Sequence, residues 1–185
     1  MDWAKEVAYA VLNKKQQPSD VLSKIINDNQ YETFLEVGSW EGKNMKRIVN
    51  NSPGLIKTWC IDPYKAIKTK DPSHIYQESQ THFDKTFEEA KRRNPTTIFI
   101  KDTSVRSAKL FKDESIDIVF IDAEHTYTAL KQDLYAWLPK VKRGGTLSGH
   151  DFGPRFNCII KAVIEEFGTK FTLHNGKVWS YKKKK

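Results

Sequence analysis

The stretch Thr33-Phe34-Leu35-Glu36-Val37-Gly38-Ser39-Trp40-Glu41-Gly42 decides how the rest of the chain is read. Thr33 to Val37 is a short apolar run fit for a buried strand, and a helical pattern follows from Glu41 to Asn50. The turn between them holds two glycines four apart, which lets the backbone come close to a ligand. The helix that follows aims its first amides at the same spot. Gly-x-x-x-Gly by itself reads equally well as an ordinary tight turn. Its position between a buried strand and a helix is what favours a ligand.

The next apolar run, Ile56 to Ile61, ends in Ile61-Asp62-Pro63. Asp62 lies 24 residues beyond Gly38. An acid at about that spacing is placed to accept hydrogen bonds from ribose hydroxyls. Alone it reads as a cap or turn aspartate; with the glycine loop, a nucleoside site is the better reading.

Working outward, apolar runs alternate with helical patterns. An N-terminal helix carries Trp3, Val7, Ala10 and Val11 on one face, and Pro18-Ser19-Asp20 opens a second through Ile26. Further on, helices are expected at His74 to Arg93, Ser104 to Phe111, Thr126 to Leu138 and Phe156 to Phe167. Strands are expected at Thr97 to Ile100, Ile116 to Ile121 and Gly145 to Ser148. Asn175-Gly176 sits between two last short runs as a hairpin turn. The pattern predicts an α/β, Rossmann-like, doubly wound sheet of seven mostly parallel strands with a C-terminal antiparallel hairpin. Residues 1–30 read as a helical lid or flank, 31–182 as the main domain and 183–185 as a basic tail. Such a sheet takes its ligand at the carboxyl ends of its strands.

Composition narrows the classes. The 185 residues, 38% of them hydrophobic, suffice for one well-cored domain. No apolar run reaches the ~20 residues of a membrane helix, and the first residues lack the pattern of a signal peptide. A cytoplasmic location is therefore expected. Cys60 and Cys158 lack zinc-site spacing, and Cys60 reads as a buried reduced thiol. The net charge of +8 invites a nucleic-acid partner, although four of those charges lie in Lys182 to Lys185.

Two further motifs bring titratable groups together. Asp122 and His125 follow the fourth strand in Phe120-Ile121-Asp122-Ala123-Glu124-His125-Thr126-Tyr127, and His150-Asp151 closes the fifth. In an open parallel sheet those strand ends are neighbours. The chain resembles class I S-adenosylmethionine-dependent methyltransferases in Glu36 to Gly42 and in Asp62. The Ile-Asp-Ala-Glu-His segment and Leu138-Pro139-Lys140-Val141-Lys142-Arg143-Gly144-Gly145 running into Gly149-His150-Asp151 resemble one branch. That branch comprises small stand-alone enzymes related to cephalosporin-hydroxylase-like, macrolide and sugar O-methyltransferases. The resemblance spans residues 31–182.

The resemblance implies roles. Gly38, with Ser39, Trp40 and Gly42, packs on the methionine part of the cofactor, and Glu36 orients the loop or meets the amino group. Asp62 binds the ribose, with Pro63 and Tyr64 beside the adenine; Asp102 and Thr103 meet the adenine edge. Asp122 stands where cofactor and acceptor meet. Ser39 and Trp40 replace the second close glycine of a dinucleotide loop, which suits a cofactor without a pyrophosphate.

Methyl transfer needs an aligned nucleophile and, at a hydroxyl, a base. His125, Asp122 and Glu124 are the catalytic candidates. In one reading Asp122 and Asp151, with His150, hold Mg²⁺ or another divalent cation and His125 takes the proton, as in related metal-dependent sugar enzymes. In another, a histidine acts without metal. In a third, these side chains only cap and turn. The expected acceptor is a small molecule, methylated at oxygen, and anionic if Lys65, Lys68 and Lys70 face it. A nucleic-acid methyltransferase and a non-catalytic S-adenosylmethionine-binding module are the alternatives. Asp122-Ala123-Glu124-His125 lacks the Pro-Pro pair of DNA amino-methylating enzymes, and neither cysteine follows a proline. The oligomeric state is not legible.

Overall fold

The computed structural model describes residues 16–65 and 78–185. The expected helix around Trp3 to Val11, and Lys68 and Lys70, lie outside them. Among the described residues, seven strands run β1 (Thr33–Val37), β2 (Lys57–Ile61), β3 (Ile98–Ile100), β4 (Ile116–Ile121), β5 (Val141–Gly149), β6 (Thr172–Leu173) and β7 (Trp179–Lys182). Six α-helices accompany them among the described residues: α1 (Pro18–Asp28), α2 (Lys43–Asn51), α3 (Gln80–Arg93), α4 (Ser104–Ala108), α5 (Tyr127–Trp137) and α6 (Asn157–Phe167). The sheet order is β3-β2-β1-β4-β5-β7-β6, with β7 antiparallel to both neighbours. The expected doubly wound sheet with its terminal hairpin is what the chain forms.

Period-two alternation explains how one sheet feeds two cores. Phe34, Cys60, Ile118 and Phe120 point to the face covered by Val21, Leu22 and Ile26 of α1 and by Met45 and Ile48 of α2. Leu35, Val37, Val119, Ile121 and Leu147 point to the other face, under Leu130, Leu134 and Trp137 of α5 and Ile159 and Val163 of α6. Burying one leucine-sized side chain stabilises by roughly 1.5–3 kcal/mol, so both layers hold the strands in register. Cys60 is a buried free thiol, as read from its apolar surroundings.

Some boundaries moved for local reasons. α3 starts at Gln80 because the Ser79 side chain accepts from the His82 amide at 3.2 Å and caps it. β5 begins at Val141 rather than Gly145. Its pairing jumps from Ile116–Val141 to Ile118–Thr146, and the left-handed Gly144 takes up the slack. Among the described residues no helix is long and apolar enough to cross a membrane.

Candidate active site

The carboxyl ends of β1, β2 and β4 are sewn together by backbone. The Gly38 amide donates to the Ile61 carbonyl at 2.8 Å, and the Asp122 amide to the Val37 carbonyl at 2.8 Å. Gly38 has φ +86°, and a Cβ there would lie 2.0 Å from the Asp122 carbonyl oxygen. Only glycine lets the loop pass so close to the end of β4. Gly42 answers a different need: a Cβ on it would meet the Asn94 side chain at 2.6 Å, because Asn94 donates to the Gly42 carbonyl.

Asp62 is the buried hub of the loop. Its Oδ2 accepts from the Trp40 amide at 3.1 Å and its Oδ1 from the Tyr64 amide at 2.9 Å. Burial raises its pKa, and those two amides oppose the rise. Tyr64 is buried beneath the loop, where its hydroxyl donates to the Trp40 carbonyl at 2.7 Å and lies 3.1 Å from the Ser39 hydroxyl. The Trp40 ring stacks on His82 and meets Phe83 edge-on. Ser39, Trp40 and Tyr64 therefore shape the loop by packing and hydrogen bonding to one another. Glu36 sits below, accepting from Asn44 at 2.6 Å. Burial pushes its pKa up to about 8, the Asn44 bond opposing, so it is mostly protonated near neutrality.

A cleft of about 280 Å³ opens beside this loop. Val37, Gly38, Ile61, Asp62 and Pro63 form one part of its lining, and Thr103, Ser104 and Val105 another. Ala123 and Glu124 after β4, and Ala129, Gln132 and Asp133 of α5, complete it. Glu124 thus faces the cleft, its carboxylate accepting from Thr126 at 3.2 Å. Asp102 does not line it: its Oδ1 accepts from the Thr103 amide at 2.7 Å, and its Oδ2 pairs with Arg106 at 3.3 Å. Asp133 was not singled out from the sequence. A lone acid inside an amphipathic helix looks like a solvated face, and no motif marks it. A larger, more open hollow of about 580 Å³ between α4 and α5 reaches Asp113, Pro139 and Lys140, which lead into β4 and β5. It lies at the wrong end of the sheet for the chemistry.

The ends of β4 and β5 gather the titratable groups. His125 Nε2 lies 2.9 Å from Asp151 Oδ2 and 3.6 Å from Asp122 Oδ1. His150 Nδ1 lies 3.4 Å from Asp151 and 3.5 Å from Asp122. Phe156 stacks on the His125 ring with centroids 4.6 Å apart. Asp151 has φ +56°, a left-handed conformation that aspartate tolerates better than most residues. Burial opposes charge on both rings, but hydrogen bonds and attraction from the two carboxylates outweigh it and hold each pKa at about 10. Burial likewise opposes ionisation of Asp122 and Asp151, yet the imidazoles pull both below the usual carboxylate range. Asp122, His125 and Asp151 can present ligand atoms all within 4.8 Å of one another. The sequence grouped His150 with the two acids as ligands; the tight cluster has His125 instead.

The family model described as a methyltransferase domain matches residues 35–152, and the chain belongs to that family. It is a class I S-adenosylmethionine-dependent methyltransferase. A proposed caffeoyl-CoA O-methyltransferase from Staphylococcus aureus shares the fold at 14% identity, covering 94% of this chain and 87% of that one (TM-score 0.63). An O-methyltransferase from Bacillus cereus in complex with SAH (S-adenosylhomocysteine) does so at 13% identity over 97% and 91% (TM-score 0.57). An rRNA methylase from Streptococcus thermophilus does so at 12% identity over 92% and 99% (TM-score 0.63). At these identities the likeness speaks for the fold, which serves both small and nucleic-acid acceptors. No curated protein matches the sequence.

Proposed function

We propose that the enzyme methylates a hydroxyl oxygen of a small anionic molecule with the help of a divalent cation held by Asp122, His125 and Asp151. The observation that carries this is the convergence of those three side chains within 4.8 Å, beside the Gly38 loop. The donor set suits a cation. Two carboxylates forced together in a half-buried place attract positive charge, here supplied by imidazolium protons that a metal would displace. One nitrogen among the ligands favours a softer ion such as Mn²⁺ over Mg²⁺. When bound, such an ion lowers the pKa of an acceptor hydroxyl and fixes its angle.

The chain's own residues supply the rest. Asp62 holds the ribose hydroxyls, and Gly38 lets the methionine part approach the end of β4. His150, 3.5 Å or less from both acids, would take the acceptor proton at its ring nitrogen once a cation on the two acids removes the attraction that keeps the ring protonated without it. In-line displacement at the sulfonium needs no further activation of the donor, so alignment carries much of the rate. The O-methyltransferase from Bacillus cereus, solved with SAH, supports the cofactor and the acceptor atom. The +8 charge supports an anionic acceptor. The rRNA methylase at the same TM-score as the caffeoyl-CoA enzyme keeps RNA as the second reading.

The test uses labelled S-adenosylmethionine with panels of small hydroxylated carboxylates and phosphates, and with RNA. Label in a small acceptor, lost with EDTA and restored by Mn²⁺, is the expected result. Activity indifferent to EDTA removes the metal; label in RNA alone removes the small acceptor.

A further inference from the structure

The acid expected at the adenine edge is turned away from the cleft, and another stands on its wall. Both oxygens of Asp102 are engaged by its own helix start, through the Thr103 amide and Arg106. Asp133, on the inner face of α5, lines the cleft although only 4% of its surface is exposed. A hydrogen-bonded chain pins it. The Trp137 indole, which can only donate, bonds the Ser104 hydroxyl oxygen at 2.8 Å. Ser104 therefore donates its own proton onward, and it does so to Asp133 Oδ1.

That chain leaves Oδ2 as the oxygen available to a ligand. A carboxyl buried with one hydrogen-bond donor is costly, and burial raises its pKa to about 7 against the Ser104 bond, with Glu124 adding to the rise. A ligand donor facing it would offset that cost. The rest of the cleft suits a flat base: Val37, Ile61, Val105, Ala123 and Ala129 are apolar, and Asp62 supplies the ribose contact on the β2 side.

We propose that Asp133 is the residue that reads adenine in the cofactor, its Oδ2 accepting a hydrogen bond from the exocyclic amine. The assignment rests on S-adenosylmethionine occupying this cleft. It makes Asp133 a specificity-determining residue contributed by α5 instead of by the strand end that precedes α4. Ser104 and Trp137 are positioning residues that fix which oxygen faces the base.

The polarity of the chain makes the proposal testable by a reversal of preference. In Asp133→Asn the amide oxygen must still face Ser104, so the amide NH₂ faces the base. It then repels the adenine amine and donates to the carbonyl oxygen of hypoxanthine. Calorimetry at pH 8 compares S-adenosylhomocysteine with S-inosylhomocysteine, in which a carbonyl replaces the amine. The wild-type enzyme should prefer the adenine compound by about 10- to 100-fold, the range of a charge-assisted hydrogen bond. In Asp133→Asn the preference should vanish or reverse, while Asp102→Ala and Gln132→Ala keep it. Wild-type preference retained in Asp133→Asn, or lost in Asp102→Ala or Gln132→Ala, overturns the assignment. Binding of S-adenosylhomocysteine without preference in the wild type overturns it too, while leaving the cofactor in place. Failure of the wild type to bind either compound overturns the cofactor placement and the assignment together. Circular dichroism reports folding. If Asp133→Asn does not fold, Ser104→Ala replaces it: a weakened preference supports the proposal and an unchanged one overturns it.

Discussion

Carboxyl groups partly or wholly withdrawn from water behave in opposite ways in two parts of the site. On the proposed cofactor side, Glu36 and Asp62 sit among neutral donors, and burial raises the pKa of both. On the proposed acceptor side, Asp122 and Asp151 are half-buried, yet their pKa values fall because two imidazoles face them. Amides and a side-chain amide can orient a carboxyl without forcing it to ionise. Cationic partners both orient it and fix its charge. One half is thus a shaped, weakly charged cradle, and the other a dense knot of opposite charges suited to moving protons or holding a cation.

The largest perturbation should break both halves at once. Gly38→Ala drives a methyl group into the Asp122 backbone at a left-handed φ. We expect a loss of more than ~4 kcal/mol of stability or no soluble protein, read by thermal unfolding. Stability near wild type would show that the two strand ends can separate. His125→Ala should strike the acceptor half alone. Turnover should fall by about 10²- to 10⁴-fold while cofactor affinity stays within about threefold. Unchanged turnover would take His125 out of the chemistry.

Asp62→Ala should strike the cofactor half. Affinity for S-adenosylhomocysteine should fall by about 100-fold, as expected for a lost pair of charge-assisted hydrogen bonds. Retained affinity would end its ribose role. The last effect concerns Glu36 and leaves the chemistry untouched. Its folded pKa of about 8 lies above the ordinary 4.5, so the native state holds the extra proton. Its contribution is fully present below about pH 4.5 and is lost as pH rises through about 8. Urea unfolding of the wild type should therefore show stability declining across that window by a few kcal/mol (order of magnitude) from this group. Glu36→Gln, which keeps the bond from Asn44, should flatten the decline. An identical decline in the variant would trace it elsewhere.

Gly38 and Asp62 are legible as cleft residues because their signals are local. A glycine at a strand end and an acid closing the next strand are set by backbone geometry over a few residues. Gly38 and Asp62 accordingly stand where their spacing put them, both on the cleft. For Trp40, Tyr64 and Gly42 the family resemblance implies cofactor contacts. The fold gives them bracing partners in His82, the loop carbonyls and Asn94, which come from elsewhere in the chain or from across the loop.

What the sequence by itself determined is the alternation of strands and helices, the end of the sheet where chemistry gathers, and the four titratable residues of β4 and β5 as neighbours. Periodicity and strand order suffice for that, since parallel neighbours bring their carboxyl ends together. Only the tertiary structure decided which side chains face one another there. Asp102 turned onto Arg106, Asp133 came to the cleft wall, Glu124 faced the cleft, and His125 rather than His150 joined the two acids in the tight cluster. Asp102 turned within its own helix start, four residues along, whereas Asp133 and Asp151 meet their partners across more than twenty positions of chain, as with the 29 positions from Ser104 to Asp133. Spacing along the sequence does not encode them; the packing of α4 and α5 on the sheet does.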